Sequence, residues 1–256
     1  MTLENDILAF WDGRAQLGSI GGTNDFVLTM IEHDFLLATV PRGSRVLDIG
    51  CGNGASLVRL VKGNDCFGIG IDYSARMVEK ADEALQEAGI EETAEVYQRE
   101  IPPISSEWGT FDVAYSQRCL INLTSVEEQR EAVLSVKDVL EPGGLYIMLE
   151  CSLDGGERTN AVRRTLGLGT IDPPWHNIFL KEAEVASWSC EDFFIEDLLH
   201  ISSTYHFLSR IVYAKLAADR GEELRYDSEI NLLATKLPAM IGEFGPVKAW
   251  LWRRRG

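Results

Sequence analysis

Val46-Leu47-Asp48-Ile49-Gly50-Cys51-Gly52-Asn53-Gly54 decides the fold: an apolar strand enters a turn with glycine at every second position, and helical spacing resumes over 55–62. Glycine lets the backbone double back and lets a ligand approach where a Cβ would collide, while the first N–H groups of the following helix face that ligand. A second apolar run, Phe67-Gly68-Ile69-Gly70-Ile71, closes on Asp72. A carboxylate about twenty residues beyond the glycines, at the tip of the next strand, suits a ribose diol. The pattern is that of a nucleotide-type cofactor site.

Gly50-x-Gly52-x-x-Ala55 satisfies the loose dinucleotide fingerprint, so an NAD(P)- or FAD-dependent oxidoreductase is one reading. Asp48, two residues before the first glycine, opposes it, because a carboxylate repels a pyrophosphate and attracts a cation. The stretch 46–54, with Asp72, Phe111-Asp112-Val113-Ala114-Tyr115-Ser116 and Leu140-Glu141-Pro142-Gly143-Gly144-Leu145, resembles the class I S-adenosylmethionine-dependent methyltransferases across residues 45–151. The resemblance implies S-adenosyl-L-methionine as cofactor, S-adenosyl-L-homocysteine as product, and methyl transfer to a small-molecule acceptor, with O- or N-methylation favoured. A module that keeps the cofactor pocket without catalysing transfer is a third reading.

Strand and helix patterns alternate along the chain. Strands are expected over 45–49, 67–71, 95–99, 113–116 and 145–151. Helices are expected over 3–14, 24–39, 55–62, 75–88 and 126–140, with Ser74 as an N-cap and Ser125 and Glu128 as a capping box. In the helix over 24–39, Phe26, Met30, Ile31, Phe35 and Leu36 form the apolar face; a flexible break at 18–22 precedes it. Such alternation gives an α/β, Rossmann-like doubly wound sheet with its ligand at the carboxyl ends of the strands. With the resemblance, it becomes a mostly parallel seven-stranded sheet ending in an antiparallel hairpin, with a helical lid insertion.

One domain over 1–256 is expected. Cover helices occupy 1–44, the cofactor core 45–151, and the acceptor-binding half 152–256. Within that last part a short helical stretch precedes Pro173-Pro174-Trp175-His176-Asn177. A helix near 181–188 and a strand near 193–201 follow, then helices over 204–218 and 229–237 inside an insertion of about 202–245, and a last strand over 247–253.

The resemblance assigns roles to individual residues. Gly50, Gly52 and Gly54 cradle the cofactor; Asp48 holds its amino group or caps the turn; Asp72 takes the ribose hydroxyls or caps the next helix. Tyr73 lies against the adenine or simply packs. Glu100 and Ile101 follow the third strand beside the adenine amine, although Arg99-Glu100 departs from the usual Asp or Gly-Asp. Ser116 and Gln117 end the fourth strand facing the methionine moiety, and Arg14 in the first helix meets the cofactor's carboxylate or faces water. Arg118 pairs with an anionic acceptor or with an acid of the protein.

Displacement at an activated carbon needs alignment, and a base only where the nucleophile sheds a proton. Of the four histidines, His33 and His200 read as structural. His176 is the first candidate base and acceptor contact, with Trp175 beside it; His206 is the second, with Tyr205 as an acceptor contact. No metal-ligand spacing is present.

A net charge of −16 and a pI near 4.7 oppose a nucleic-acid acceptor. Arg253-Arg254-Arg255 reads as a solvated strand end. The five cysteines, without a C-x-x-C pair, read as buried thiols of a reducing compartment, and the absence of a leader or a long apolar run implies a cytoplasmic protein away from membranes. The cover helices and insertion would serve a homodimer as readily as a substrate.

Overall fold

The computed structural model describes residues 2–20 and 23–256, the side chains of 18–20 excepted. Helices α1 (Leu3–Arg14) and α2 (Phe26–Thr39) lead into strand β1 (Arg45–Ile49). Then come α3 (Ala55–Asn64), β2 (Phe67–Asp72), α4 (Ala75–Ala88), β3 (Ala94–Gln98), β4 (Phe111–Gln117), α5 (Val126–Val139) and β5 (Leu140–Cys151). The sheet is seven-stranded, in the order β3-β2-β1-β4-β5-β7-β6, where β6 is Phe193–Leu199 and β7 is Val247–Arg254. Strands β1 to β5 pair in parallel, and β7 runs antiparallel to both β5 and β6. The strand order reverses between β1 and β4, where doubly wound sheets open a crevice.

Local chemistry sets the boundaries. The Ser74 hydroxyl accepts from Met77 N–H at 3.1 Å and starts α4, which Gly89 ends in the left-handed conformation. Ser125 Oγ accepts from Glu128 N–H at 3.1 Å, but the Glu128 carboxylate reaches Thr124 N–H rather than Ser125, so the box closes one residue early. Helix α3 runs two residues past the expected stop because Asp65, rather than Gly63, takes the left-handed position. The Leu140–Leu145 turn is absorbed into β5 as a bulge, where pairing jumps from Phe111/Leu140 to Val113/Leu145.

Two expectations change on packing. Helix α2 buries Val27, Leu28, Glu32, His33 and Leu36, while Phe26 and Met30 are about 40% exposed, so its buried face is rotated from the one apolarity suggested. The helical stretch after Cys151 is a full helix, α6 (Leu153–Thr165), followed by α7 (Glu182–Ala186).

The insertion between β6 and β7 carries α8 (Ser203–His206), a π-helical segment (Phe207–Tyr213) and α9 (Ala214–Arg220) in one run, then α10 (Glu229–Ala234). It docks on the start of α2: Tyr205 donates to Asp25 Oδ1 at 2.7 Å, and Arg210 pairs with the other Asp25 oxygen. Cys51, Cys66 and Cys151 are buried, whereas Cys119 is half-buried and Cys190 exposed. Arg253, read as solvated, pairs with Glu196 at 2.6 Å. Gly21 and Gly22 of the expected break lie outside the described residues; its first part belongs to a 3-10 turn, Ala15–Ile20. No helix among the described residues is long and apolar enough to cross a membrane.

Candidate active site

A cavity of about 400 Å³ opens at the carboxyl ends of β1, β2 and β4, with the glycine turn as its floor. Gly50, Gly52 and Gly54 all have positive φ, at 74°, 52° and 75°. Their surroundings differ. A Cβ on Gly50 would collide with the Cys119 side chain, and one on Gly54 would stand 3.1 Å from Ala81 Cα in α4. A Cβ on Gly52 would meet nothing within 4 Å. The outer glycines let the turn pack; the middle one leaves room on the cavity side.

Two carboxylates face this floor. Asp48 is 1% exposed, and its Oδ2 is sealed from solvent without a hydrogen-bond partner. Burial pushes its pKa up to about 7, the Tyr115 hydroxyl pulling the other way and the charge of Asp72 adding to the rise. Asp72 accepts from Gly52 N–H and from Ser74 N–H, each at 2.9 Å, so it ties the glycine turn to the start of α4. Burial raises its pKa to about 6 against those two bonds. The helix cap is Ser74, which leaves Asp72 with lone pairs to offer. Two acids on one floor, Asp48 buried and Asp72 half-buried, form a place for a cation and a poor cradle for a pyrophosphate.

Beyond Asp72, Tyr73, Arg99, Glu100 and Ile101 line one end of the cavity, and the Tyr73 hydroxyl is buried without a partner. Helix α1 closes over the top with Ile7 and Trp11. Trp11 Nε1 donates to Asn122 Oδ1 at 3.2 Å, Asn177 Nδ2 donates to the same oxygen at 2.9 Å, and Asn122 Nδ2 donates to the Arg118 and Cys119 carbonyls.

Residues 46–144 match the family model of a methyltransferase domain. A 27-O-demethylrifamycin SV methyltransferase from Amycolatopsis mediterranei is 27% identical over 209 residues, 79% of this chain and 71% of that protein. EEF1A lysine methyltransferase 2 of Mus musculus is 29% identical over 127 residues; this match takes in 48% of the chain and spans about half of that relative, 52%. Among solved structures, a SAM-dependent methyltransferase from Thiobacillus denitrificans in complex with S-adenosyl-L-homocysteine shares the fold, with a TM-score of 0.53 and 20% identity over 91% of this chain and 92% of that one. Residues 46–144 are a methyltransferase domain, built on the sheet of the S-adenosylmethionine-dependent methyltransferases.

At the β4 flank, this methyltransferase builds a polar wall. Gln117 Nε2 donates to Glu32 Oε2 at 2.6 Å, and Ser56 Oγ donates to Gln117 Oε1 at 2.6 Å. His33 Nε2 lies 2.8 Å from Ser56 Oγ. Arg118, at φ 54°, donates from Nη2 to Glu32 Oε2 at 3.0 Å while its Nε is sealed without a partner. Of the two readings of Arg118, the pair with an acid of the protein is the one formed. Ser116 is not on the wall: its hydroxyl is buried against Tyr146 Oη at 2.9 Å and Glu150 Oε1 at 3.0 Å. Glu150 also accepts from the N–H groups of Cys119 and Leu120, so it anchors the segment after β4.

The sequence-assigned residues therefore divide. Asp48, Gly50, Gly52, Asp72, Tyr73, Glu100, Ile101, Gln117 and Arg118 share the cavity lining, and Gly54 starts α3 behind it. Arg14 stands at the end of α1, 3.3 Å from Asn24 Oδ1, and adds to the depression of the His176 pKa. His176 packs its ring on Phe10 at 4.3 Å and beside Trp11 and Trp175; of these four only Trp11 lines the cavity, and His176 backs the cover helix. Trp175 is 61% exposed.

Tyr205 and His206 belong to the buried base of the insertion, where His206 Nδ1 sits 3.0 Å from the Ser202 carbonyl. None of residues 202–245 lines the cavity, because Asp25 draws the insertion onto α2. Sequence reasoning missed His33, Ser56, Trp11 and Asn122. One signal was there: Leu28, Glu32 and Leu36 are spaced four apart, and an acid within such an apolar ridge requires a buried partner.

Proposed function

We propose that this methyltransferase transfers a methyl group from S-adenosyl-L-methionine to a small-molecule acceptor, at a hydroxyl or amine. The observation that carries the cofactor assignment is the pair of carboxylates, Asp48 and Asp72, that line one glycine floor. A cationic amino acid end satisfies Asp48, and a ribose diol adds hydrogen bonds to Asp72 without displacing its two backbone donors. Gly52 admits the ligand against the turn. The cofactor supplies a carbon already activated by a sulfonium. The protein's part is to align that carbon with a nucleophile and to exclude water, which α1 does through Ile7 and Trp11.

A small acceptor accords with the cavity's size, with its cover by α1, with the strongly acidic chain, and with the 27-O-demethylrifamycin SV in the name of the Amycolatopsis relative. Calorimetric titration with S-adenosyl-L-homocysteine, NADH and FAD tests the reading. Micromolar binding of the first alone is expected, and Asp72→Ala should weaken it ten- to a hundredfold, roughly 1.5–3 kcal/mol for lost charge-assisted hydrogen bonds. Preference for a dinucleotide would restore the oxidoreductase reading. Binding without turnover across hydroxyl and amine acceptors would favour a non-catalytic module.

A further inference from the structure

Among the described residues His33 is the histidine that lines the cavity, and the direction of its hydrogen-bond chain fixes where its proton sits. Arginine only donates, so Glu32 Oε2, 3.0 Å from Arg118 Nη2, is an acceptor. Gln117, 2.6 Å from the same oxygen, must present its NH₂ group there, which turns its Oε1 toward Ser56. The single hydroxyl hydrogen of Ser56 goes to that Oε1 at 2.6 Å, leaving Ser56 Oγ to accept from His33 Nε2 at 2.8 Å. The imidazole hydrogen is therefore on Nε2, and the lone pair on Nδ1. Among the described residues Nδ1 has no hydrogen-bond partner, and it is not among the sealed side-chain atoms. A basic lone pair held on a cavity wall is matched by a hydrogen-bond donor and not by a carboxylate.

We propose that His33 is the catalytic base of the methyl transfer and that its acceptor is a hydroxyl, with Ser56, Gln117 and Glu32 as positioning residues that lock its tautomer. The proposal rests on the methyltransferase reading above. The acceptor O–H donates to Nδ1, which aims the oxygen's remaining lone pairs into the cavity. As the new O–C bond forms, the methyl carbon's bond to sulfur breaks and its electron pair stays on sulfur. The hydroxyl proton passes to Nδ1 and from the imidazolium to solvent. Burial, with Arg59 and Arg118 nearby, lowers the His33 pKa to about 4 and keeps the ring neutral in the physiological range. So weak a base still serves a hydroxyl, because an oxygen that has just gained a methyl group is a strong acid; an ammonium would keep its proton.

The test uses the full chain with ¹⁵N-labelled histidine, saturated with S-adenosyl-L-homocysteine, and phenol and anisole as probes. Long-range ¹⁵N–¹H spectra should show His33 as the Nε2–H tautomer, with Gln117→Leu moving the proton toward Nδ1. Phenol should shift the Nδ1 resonance, and anisole, which has no O–H, should not. His33→Phe should weaken phenol binding about tenfold, as for one lost hydrogen bond, while leaving S-adenosyl-L-homocysteine affinity within about twofold. An Nδ1–H tautomer in the wild-type chain, which requires no variant to fold, would overturn the proposal. So would an equal loss of affinity for S-adenosyl-L-homocysteine, which would put His33 with the cofactor. A wild-type chain that does not bind S-adenosyl-L-homocysteine would instead remove the parent reading.

Discussion

At Gly52 and Gly54 one backbone conformation answers two different needs, and substitution separates them. Both have positive φ, so alanine at either adds backbone strain of roughly 1 kcal/mol. Gly54→Ala also drives a Cβ to 3.1 Å from Ala81 Cα, separating α3 from α4. Its expected outcome is a melting temperature several degrees lower, read by differential scanning calorimetry. Gly52→Ala has space for its Cβ, but on the side where a ligand must approach. It should lose tenfold or more in S-adenosyl-L-homocysteine affinity, about 1.4 kcal/mol or more, with a smaller change in melting temperature. If the two variants lost affinity and stability in the same proportion, the division of roles between these glycines would be wrong. The glycine spacing was legible because a turn between strand and helix is a local event. Which glycine faces the ligand depends on Cys119 and Ala81, residues brought in from other elements.

At the scale of elements, the cover over the cavity hangs on Asn122. It takes hydrogen bonds from Trp11 of α1 and from Asn177 of the Pro-Pro-Trp-His-Asn loop, and it gives two to the carbonyls after β4. Asn122→Ala removes all four, at about 1 kcal/mol for each bond that water does not replace. Amide exchange across α1 and residues 172–178 should quicken several-fold, and S-adenosyl-L-homocysteine should leave faster; unchanged exchange would assign the cover to the aromatic cluster of Phe10, Trp11, Trp175 and His176. The loop was legible as aromatic and irregular, and His176 in it was the natural candidate base. The structure instead uses that imidazole as a packing surface for Phe10, because α1 lies across the loop. The face of α2 was misjudged for the related reason that Glu32 finds Gln117 and Arg118 only once β4 is in place.

Over the whole molecule, a chain of net charge −16 holds Asp48 and Glu150 buried and Asp72 half-buried, where their pKa values rise to about 7, 7 and 6. A carboxyl whose pKa is higher folded than unfolded favours the folded state fully below the unfolded value, and that contribution is lost as pH rises through the folded one. For Asp48 the window runs from 3.8 to about 7. Asp48→Asn removes the dependence, so the variant should gain stability relative to the parent as pH climbs through that window. The gain should reach roughly 4 kcal/mol at most, since each pKa unit is worth about 1.4 kcal/mol. Paired denaturant titrations between pH 4 and pH 8 measure it; a constant difference would mean that Asp48 ionises normally in the fold. A cationic ligand relieves the same penalty, which is the electrostatic reason this site suits a sulfonium cofactor.

By itself the sequence determined the parallel core, the glycine turn, the helix caps and the acids at strand tips. Each of these follows from backbone conformation or from the alternation of neighbouring residues. Only the tertiary structure decided which polar side chains meet: His33 on the cavity wall through Ser56 and Gln117, His176 and His206 away from it, Ser116 turned to Glu150, and the insertion drawn onto Asp25. Those placements join residues up to 185 positions apart. They arise from pairing buried charges and hydrogen-bond donors once the elements have packed, which no local pattern records.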